Sequence, residues 1–224
     1  MDERDERDER DESETGERSL LGRQVVGGTP AHAASKPEQE DREDQEDQED
    51  QGTELDSPPH RHLPPADLQV LRLDHAPALL AFERENRAYF AAAIPDRGDA
   101  FFAEFDTRLA HLLAGLAAGT EYPHVLVTER GAVVGRVNLT DVADGSAELG
   151  YRIAQTAAGQ GLATAAVRQV CARAATVYGL SRLRARVTLD NPASRTVLEH
   201  NGFVAVGALT LNGKPALSYS CALR

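Results

Sequence analysis

The chain has 224 residues and a formal net charge of −12. That charge is segregated: residues 1–60 hold 21 acidic and 7 basic side chains, whereas residues 61–224 hold 15 and 17. The near-neutral larger part lacks a basic aromatic patch, which argues against nucleic-acid binding; no apolar run is long enough to span a membrane, and the acidic start is the reverse of a secretory leader, so a soluble cytoplasmic protein is expected.

Residues 1–65 are low in complexity. Asp-Glu-Arg repeats three times from Asp2 to Arg10, and Glu-Asp-Gln three times from Glu43 to Gln51. So few apolar residues cannot offset the entropy of ordering, and a disordered acidic tail is expected. It reads as a solubilising segment or as a ligand for a basic partner. Pro58, Pro59, Pro64 and Pro65 make a stiff linker, in which His60 and His62 read as solvated. One domain is expected over residues 66–224.

Leu68, Val70, Leu71 and Leu73 suggest a first strand, and Pro77 to about Ala93 a helix interrupted or ended before Pro95. Asp99 is placed to cap a second helix, whose apolar face runs from Phe102 to Leu116 and which Gly119 closes. Val125–Val127 and Val133–Leu139 read as a hairpin across Glu129-Arg130-Gly131, and Asp144-Gly145 turns the chain into the next strand.

That strand opens the stretch AELGYRIAQTAAGQGLATAAVRQV, from Ala147 to Val170. Leu149, Tyr151 and Ile153 alternate as in a strand. Gly159-Gln160-Gly161 follows, and then a helical face of Leu162, Ala166, Val170, Ala174 and Val177. A glycine loop feeding a helix start is an anion site, because first-turn N–H groups lack internal partners and the dipole favours negative charge. Two readings stand: a phosphate cradle, or a tight turn without a ligand. Neither the dinucleotide fingerprint nor a P-loop is present.

Leu183, Ala185, Val187 and Leu189 alternate as another strand. Asn191 then caps a short helix with Pro192 at its first position, Val197 and Leu198 anchor it, and Gly202 stops it. Phe203–Val206 and Ala216–Leu223 supply the last strands, joined through Asn212-Gly213. The order implies an α/β (α+β) fold, a mixed sheet with helices on both faces. Cys171 and Cys221 show no metal spacing and read as buried free thiols; no metal site is expected.

The Ala147–Val170 stretch resembles the acetyl-CoA-binding motif of the GCN5-related N-acetyltransferases (GNAT). Leu189–Gly207, with Asn191, Ser194, Leu198, Gly202 and Phe203 in the pattern N-x-x-S-x-x-x-L-x-x-x-G-F, resembles the second signature of the RimJ/RimL-like branch that acetylates ribosomal-protein N-termini. The resemblance covers roughly residues 66–224 and implies the GNAT fold, a mostly antiparallel mixed sheet flanked by helices. One departure is Ala158, where the family's loop usually opens with Gln or Arg.

The resemblance implies acetyl transfer from acetyl-CoA to a primary amine. Tyr151, Arg152 and Ile153 would pair with pantetheine like an added strand. Gly159, Gln160, Gly161, Leu162, Ala163 and Thr164 would cradle the pyrophosphate, with Arg152, Arg168 or Arg195 supplying charge in place of the missing loop side chain. Glu148 is the candidate base, or else a solvent-facing strand carboxylate. Ser194 is the candidate acid for the thiolate, or else part of a helix cap, with Asn191 shaping the site. Asn86 and Arg87 lie on the helix that lines the acceptor cleft in this family. The acceptor is expected to be a protein N-terminus or a small amine such as a polyamine, amino acid or antibiotic. A non-catalytic acyl-CoA-binding module is the alternative, and monomer and homodimer are both open.

Overall fold

The structure is a computed structural model and describes residues 66–224. The expected disordered tail and its proline linker lie outside the described residues. Seven strands form one sheet in the order β1-β2-β3-β4-β5-β7-β6. They are β1 (Ala66–Val70), β2 (Tyr122–Thr128), β3 (Val133–Ala143), β4 (Ser146–Ile153), β5 (Arg182–Thr188), β6 (Val204–Leu211) and β7 (Lys214–Ala222). Every neighbouring pair is antiparallel except β4 with β5.

Among the described residues six α-helices flank the sheet: α1 (Ala76–Glu85), α2 (Arg87–Ala91), α3 (Gly98–Ala103), α4 (Phe105–Ala118), α5 (Leu162–Thr176) and α6 (Pro192–His200). Side-chain alternation assigns the faces. Arg136 of β3 and Arg152 of β4 point to α1, where both meet Glu83. Tyr151 of β4 points the other way, to Ser194 of α6, and His124 of β2 to Tyr178 just after α5. Helices thus cover both faces, and β4 is buried from Ala147 to Ile153.

The tight turns form where their residues demand them. Asp144-Gly145 and Asn212-Gly213 both take positive φ, the geometry of a two-residue hairpin. Gly119 ends α4 in the left-handed conformation. Asn191 caps α6, its Oδ1 accepting from the Ser194 N–H at 3.1 Å.

Several boundaries differ from expectation. The first strand ends at Val70, and Leu73 is 70 % exposed in a 3-10 turn. The first helix is interrupted, as the sequence allowed, and the break falls at Asn86, whose side chain competes for main-chain partners: its Nδ2 donates to Phe82 O at 2.9 Å. Asp99 is not a cap but lies inside α3, where its carboxylate accepts from Arg87. A second break at Glu104 separates α3 from α4. Val177 and Leu189 fall outside the core, at 68 % and 46 % exposed.

Candidate active site

The sheet splits at its centre. The parallel strands β4 and β5 pair over three positions only, Ser146↔Arg182, Ala147↔Leu183 and Glu148↔Arg184. Beyond these, β5 stays with β7 through Thr188↔Ala216, while β4 stays with β3 through Gly135↔Ile153. Two strand edges therefore face each other without a shared ladder, and an extended ligand can add to such an edge by main-chain hydrogen bonds.

The glycine loop lies at the far end of β4. A 3-10 turn at Gln155–Ala157 leads to Gly159 and Gly161, with φ of 75° and 76°. A side chain at either glycine would meet nothing within 4 Å, so the glycines serve backbone conformation and the surface beside them is open. Gly161 is the N-cap of α5, with no side-chain cap and no acid in the first turn. The N–H groups of Leu162, Ala163 and Thr164 thus suit an anion. In place of the absent Gln or Arg at Ala158, Gln160 braces the loop, its Nε2 donating to Thr156 O at 3.3 Å.

The expected cofactor residues divide. Tyr151 and Ile153 offer only backbone to the split. The Tyr151 ring is 1 % exposed, its hydroxyl donates to Ser194 O at 3.4 Å, and burial holds its phenol well above the ordinary range. Arg152 cannot supply charge to the loop, because its side chain is turned inward to Glu83 at 3.2 Å. Arg168 is exposed on α5 and Arg195 half-buried on α6.

The expected catalytic residues also divide. Glu148 is not solvent-facing: it is 6 % exposed, and its Oε1 accepts from Arg186 Nε at 2.8 Å. Ser194 is fully buried between α6 and β4, which leaves no surface for a thiolate to touch in this structure. The cap of α6 is made by the Asn191 side chain, which accepts from the Ser194 main-chain N–H. Asn191 itself lines a cavity. Burial, and then the neighbouring Cys221, push the Cys171 thiol up to about 12, which disfavours a nucleophilic thiolate.

That cavity, about 220 Å³, sits where the split opens. Ala91–Pro95, from the last residue of α2 onward, form one wall, Arg186, Val187 and Thr188 of β5 another, and Leu211, Asn212 and Lys214 of the β6–β7 hairpin the rim. Sequence reasoning missed Arg186 as a site residue. Its signal was the period-two run Arg182, Arg184, Arg186, a polar stripe alternating with the apolar Leu183, Ala185 and Val187. The Asn86 and Arg87 side chains are committed elsewhere. Asn86 accepts from Gln155 N at 2.8 Å, and Arg87 forms ion pairs with Asp96 and Asp99.

Behind the cavity wall lies a buried charge cluster. Glu83 holds Arg136 at 2.8 Å, Arg152 at 3.2 Å and Arg97 at 3.3 Å. Burial alone would raise the Glu83 carboxyl, but the three guanidiniums outweigh it and hold it down to about 2. Helix α1, strands β3 and β4 and the approach to α3 are thereby tied together at one carboxylate.

The family pattern of the acetyltransferase (GNAT) domain matches residues 67–204. A search of curated proteins finds no match. Among solved structures, RimJ of Mycobacterium smegmatis, in complex with CoA-disulfide, is 25 % identical with a TM-score of 0.64, covering 70 % of this chain and 81 % of that one. The ribosomal-protein-S5-alanine acetyltransferase of Vibrio fischeri is 22 % identical with a TM-score of 0.66, covering 70 % and 93 %. The spermidine N-acetyltransferase of Vibrio cholerae, in complex with CoA and spermine, is 18 % identical with a TM-score of 0.60, covering 70 % and 95 %.

Proposed function

The chain belongs to the GNAT acetyltransferase family, and on that premise we propose that residues 66–224 move an acetyl group from acetyl-CoA to the α-amine of a protein N-terminus. The observation that carries this reading is the split between β4 and β5, with a glycine loop at one end and a cavity at its mouth. Acetyl-CoA spans these features: pyrophosphate on the N–H groups of Gly159–Thr164, pantetheine along the open edge of β4, thioester at the cavity.

The acceptor amine enters through the cavity as the free base and attacks the acetyl carbonyl. A main-chain N–H on the open edge of β4 stabilises the oxyanion, a contribution of roughly a hundred- to thousand-fold. Glu148 takes the amine proton through water, held in place by Arg186. Loss of the CoA thiolate completes the transfer, and solvent protonates it. Ser194 acts by packing α6 on Tyr151 rather than as the acid.

A small amine is the second reading. The cavity volume of about 220 Å³ accommodates a small acceptor as well as the first residues of a peptide. The test is thiol release from acetyl-CoA by the full chain, with peptides beginning Ala, Ser or Met beside spermidine and an aminoglycoside. Turnover of a peptide, lost in Glu148→Gln, supports the first reading; turnover of small amines alone replaces it with the second.

A further inference from the structure

We infer that the acceptor carries a carboxylate close to its reactive amine, and that Arg186 and Lys214 recognise it. The inference rests on the reading of the cavity as the acceptor site. Among the described residues lining that cavity, the charged ones are Arg186 and Lys214, and none is an acid. Two carboxylates adjoin the lining without being part of it: Glu148, 6 % exposed and committed to Arg186, and Asp190, half exposed and paired with Lys214.

Arg186 is poised for a ligand. Its Nε donates to Glu148 at 2.8 Å, its one hydrogen bond among the described residues, while its side chain is 29 % exposed. The two terminal amino groups remain, in the planar fork that matches a carboxylate. Glu148 fixes the guanidinium plane from below. Lys214 lines the same cavity from the hairpin and is joined to Asp190 at 2.7 Å in a pair whose members are both half exposed. Such a pair is weak, so Lys214 can turn to a ligand at little cost.

Position sets the distance from anion to amine. Arg186 lies two residues beyond Arg184, the last position at which β5 pairs with β4. It therefore stands at the opening of the split, where the amine must meet the thioester. The carboxylate recognised there belongs within one or two residues of the amine. Two sources share this chemistry: an Asp or Glu near the N-terminus of a peptide, and the carboxylate of a free amino acid. A polycation finds the opposite surroundings, two cations and no lining acid.

The test measures kcat/KM of the full chain with acetyl-CoA on four acceptors: the amidated peptides Ala-Glu-Asp-Ala and Ala-Lys-Lys-Ala, free aspartate, and spermidine. The acidic peptide or aspartate is expected to exceed the lysine peptide at least tenfold, chiefly through KM. Which of the two leads identifies the source of the carboxylate. Arg186→Gln is expected to remove the preference, and Lys214→Glu, an exposed change that leaves the fold intact by circular dichroism, to reverse it. Equal rates on the acidic and lysine peptides, or spermidine as the best acceptor, overturn the inference and leave the acetyltransferase reading standing. Absence of turnover on every amine overturns both.

Discussion

Asn86 Oδ1 accepts the main-chain N–H of Gln155 at 2.8 Å, so the break between α1 and α2 is fastened to the turn that follows β4. The same side chain donates to Phe82 O at 2.9 Å. One wall of the cavity and the approach to the glycine loop are thus held by a single buried amide. Asn86→Ala is expected to cost about 1–3 kcal/mol, the penalty for leaving buried partners unmade, and to raise KM for acetyl-CoA. Denaturant unfolding and saturation kinetics check both. Arg87→Ala, which removes exposed ion pairs, is the comparison expected to leave the denaturant midpoint nearly unchanged.

Glu83→Gln is expected to destabilise the fold by about 3–5 kcal/mol, because three guanidiniums lose their common carboxylate. Denaturant midpoints measure this. A loss below about 1 kcal/mol would show that the cluster is solvated in solution.

Two buried groups set the acid limb of stability. His124 is fully buried, its Nε2 2.7 Å from the hydroxyl of Tyr178, which stacks on Tyr122 with ring centroids 3.7 Å apart. Burial, and then Arg173, lower the His124 pKa from 6.5 to about 4. The unfolded chain thus binds this proton more readily than the folded one. The associated stability is whole above pH 6.5 and is lost as pH falls toward about 4, about 3 kcal/mol in all. Glu83, depressed from 4.5 to about 2, adds a second loss between those values. Urea midpoints from pH 8 to 3 are expected to fall in two stages, and His124→Gln is expected to remove the upper one.

Glu148→Gln is expected to lower kcat by roughly a hundred- to ten-thousand-fold, the range for a positioned general base. Ser194→Ala is expected to change kcat by less than about tenfold, since the hydroxyl is enclosed by protein. Steady-state kinetics on one acceptor separate the two. Loss of turnover in Ser194→Ala with an unchanged melting temperature would restore the serine as the acid.

Gly161→Ala is expected to cost roughly 1 kcal/mol, because φ of 76° disfavours any side chain although the space is open. Gly161→Glu is expected to abolish acetyl-CoA binding by placing a carboxylate where the pyrophosphate sits. Denaturant unfolding measures the first, and calorimetric titration with acetyl-CoA the second.

What the sequence revealed depended on how far each residue's partner lies along the chain. The alternation in β4, the Asn191-Pro192 start of α6 and the Asn212-Gly213 turn are set by neighbours, and they stood where local rules put them. The break at Asn86 answers to Gln155, 69 residues away, and the inward turn of Arg152 answers to Glu83, also 69 residues away. Burial of Ser194 follows from α6 packing over Tyr151, 43 residues distant. Arg186 entered the site because β5 leaves β4 after Glu148, a property of the sheet rather than of any one strand.

The most direct measurement is a crystal structure of the full chain grown with CoA. Pantetheine is expected along the open edge of β4 between Leu149 and Ile153, with the pyrophosphate on the N–H groups of Gly159–Thr164. CoA bound elsewhere, or crystals in which the split is closed by direct pairing of β4 with β5, would contradict the proposed function.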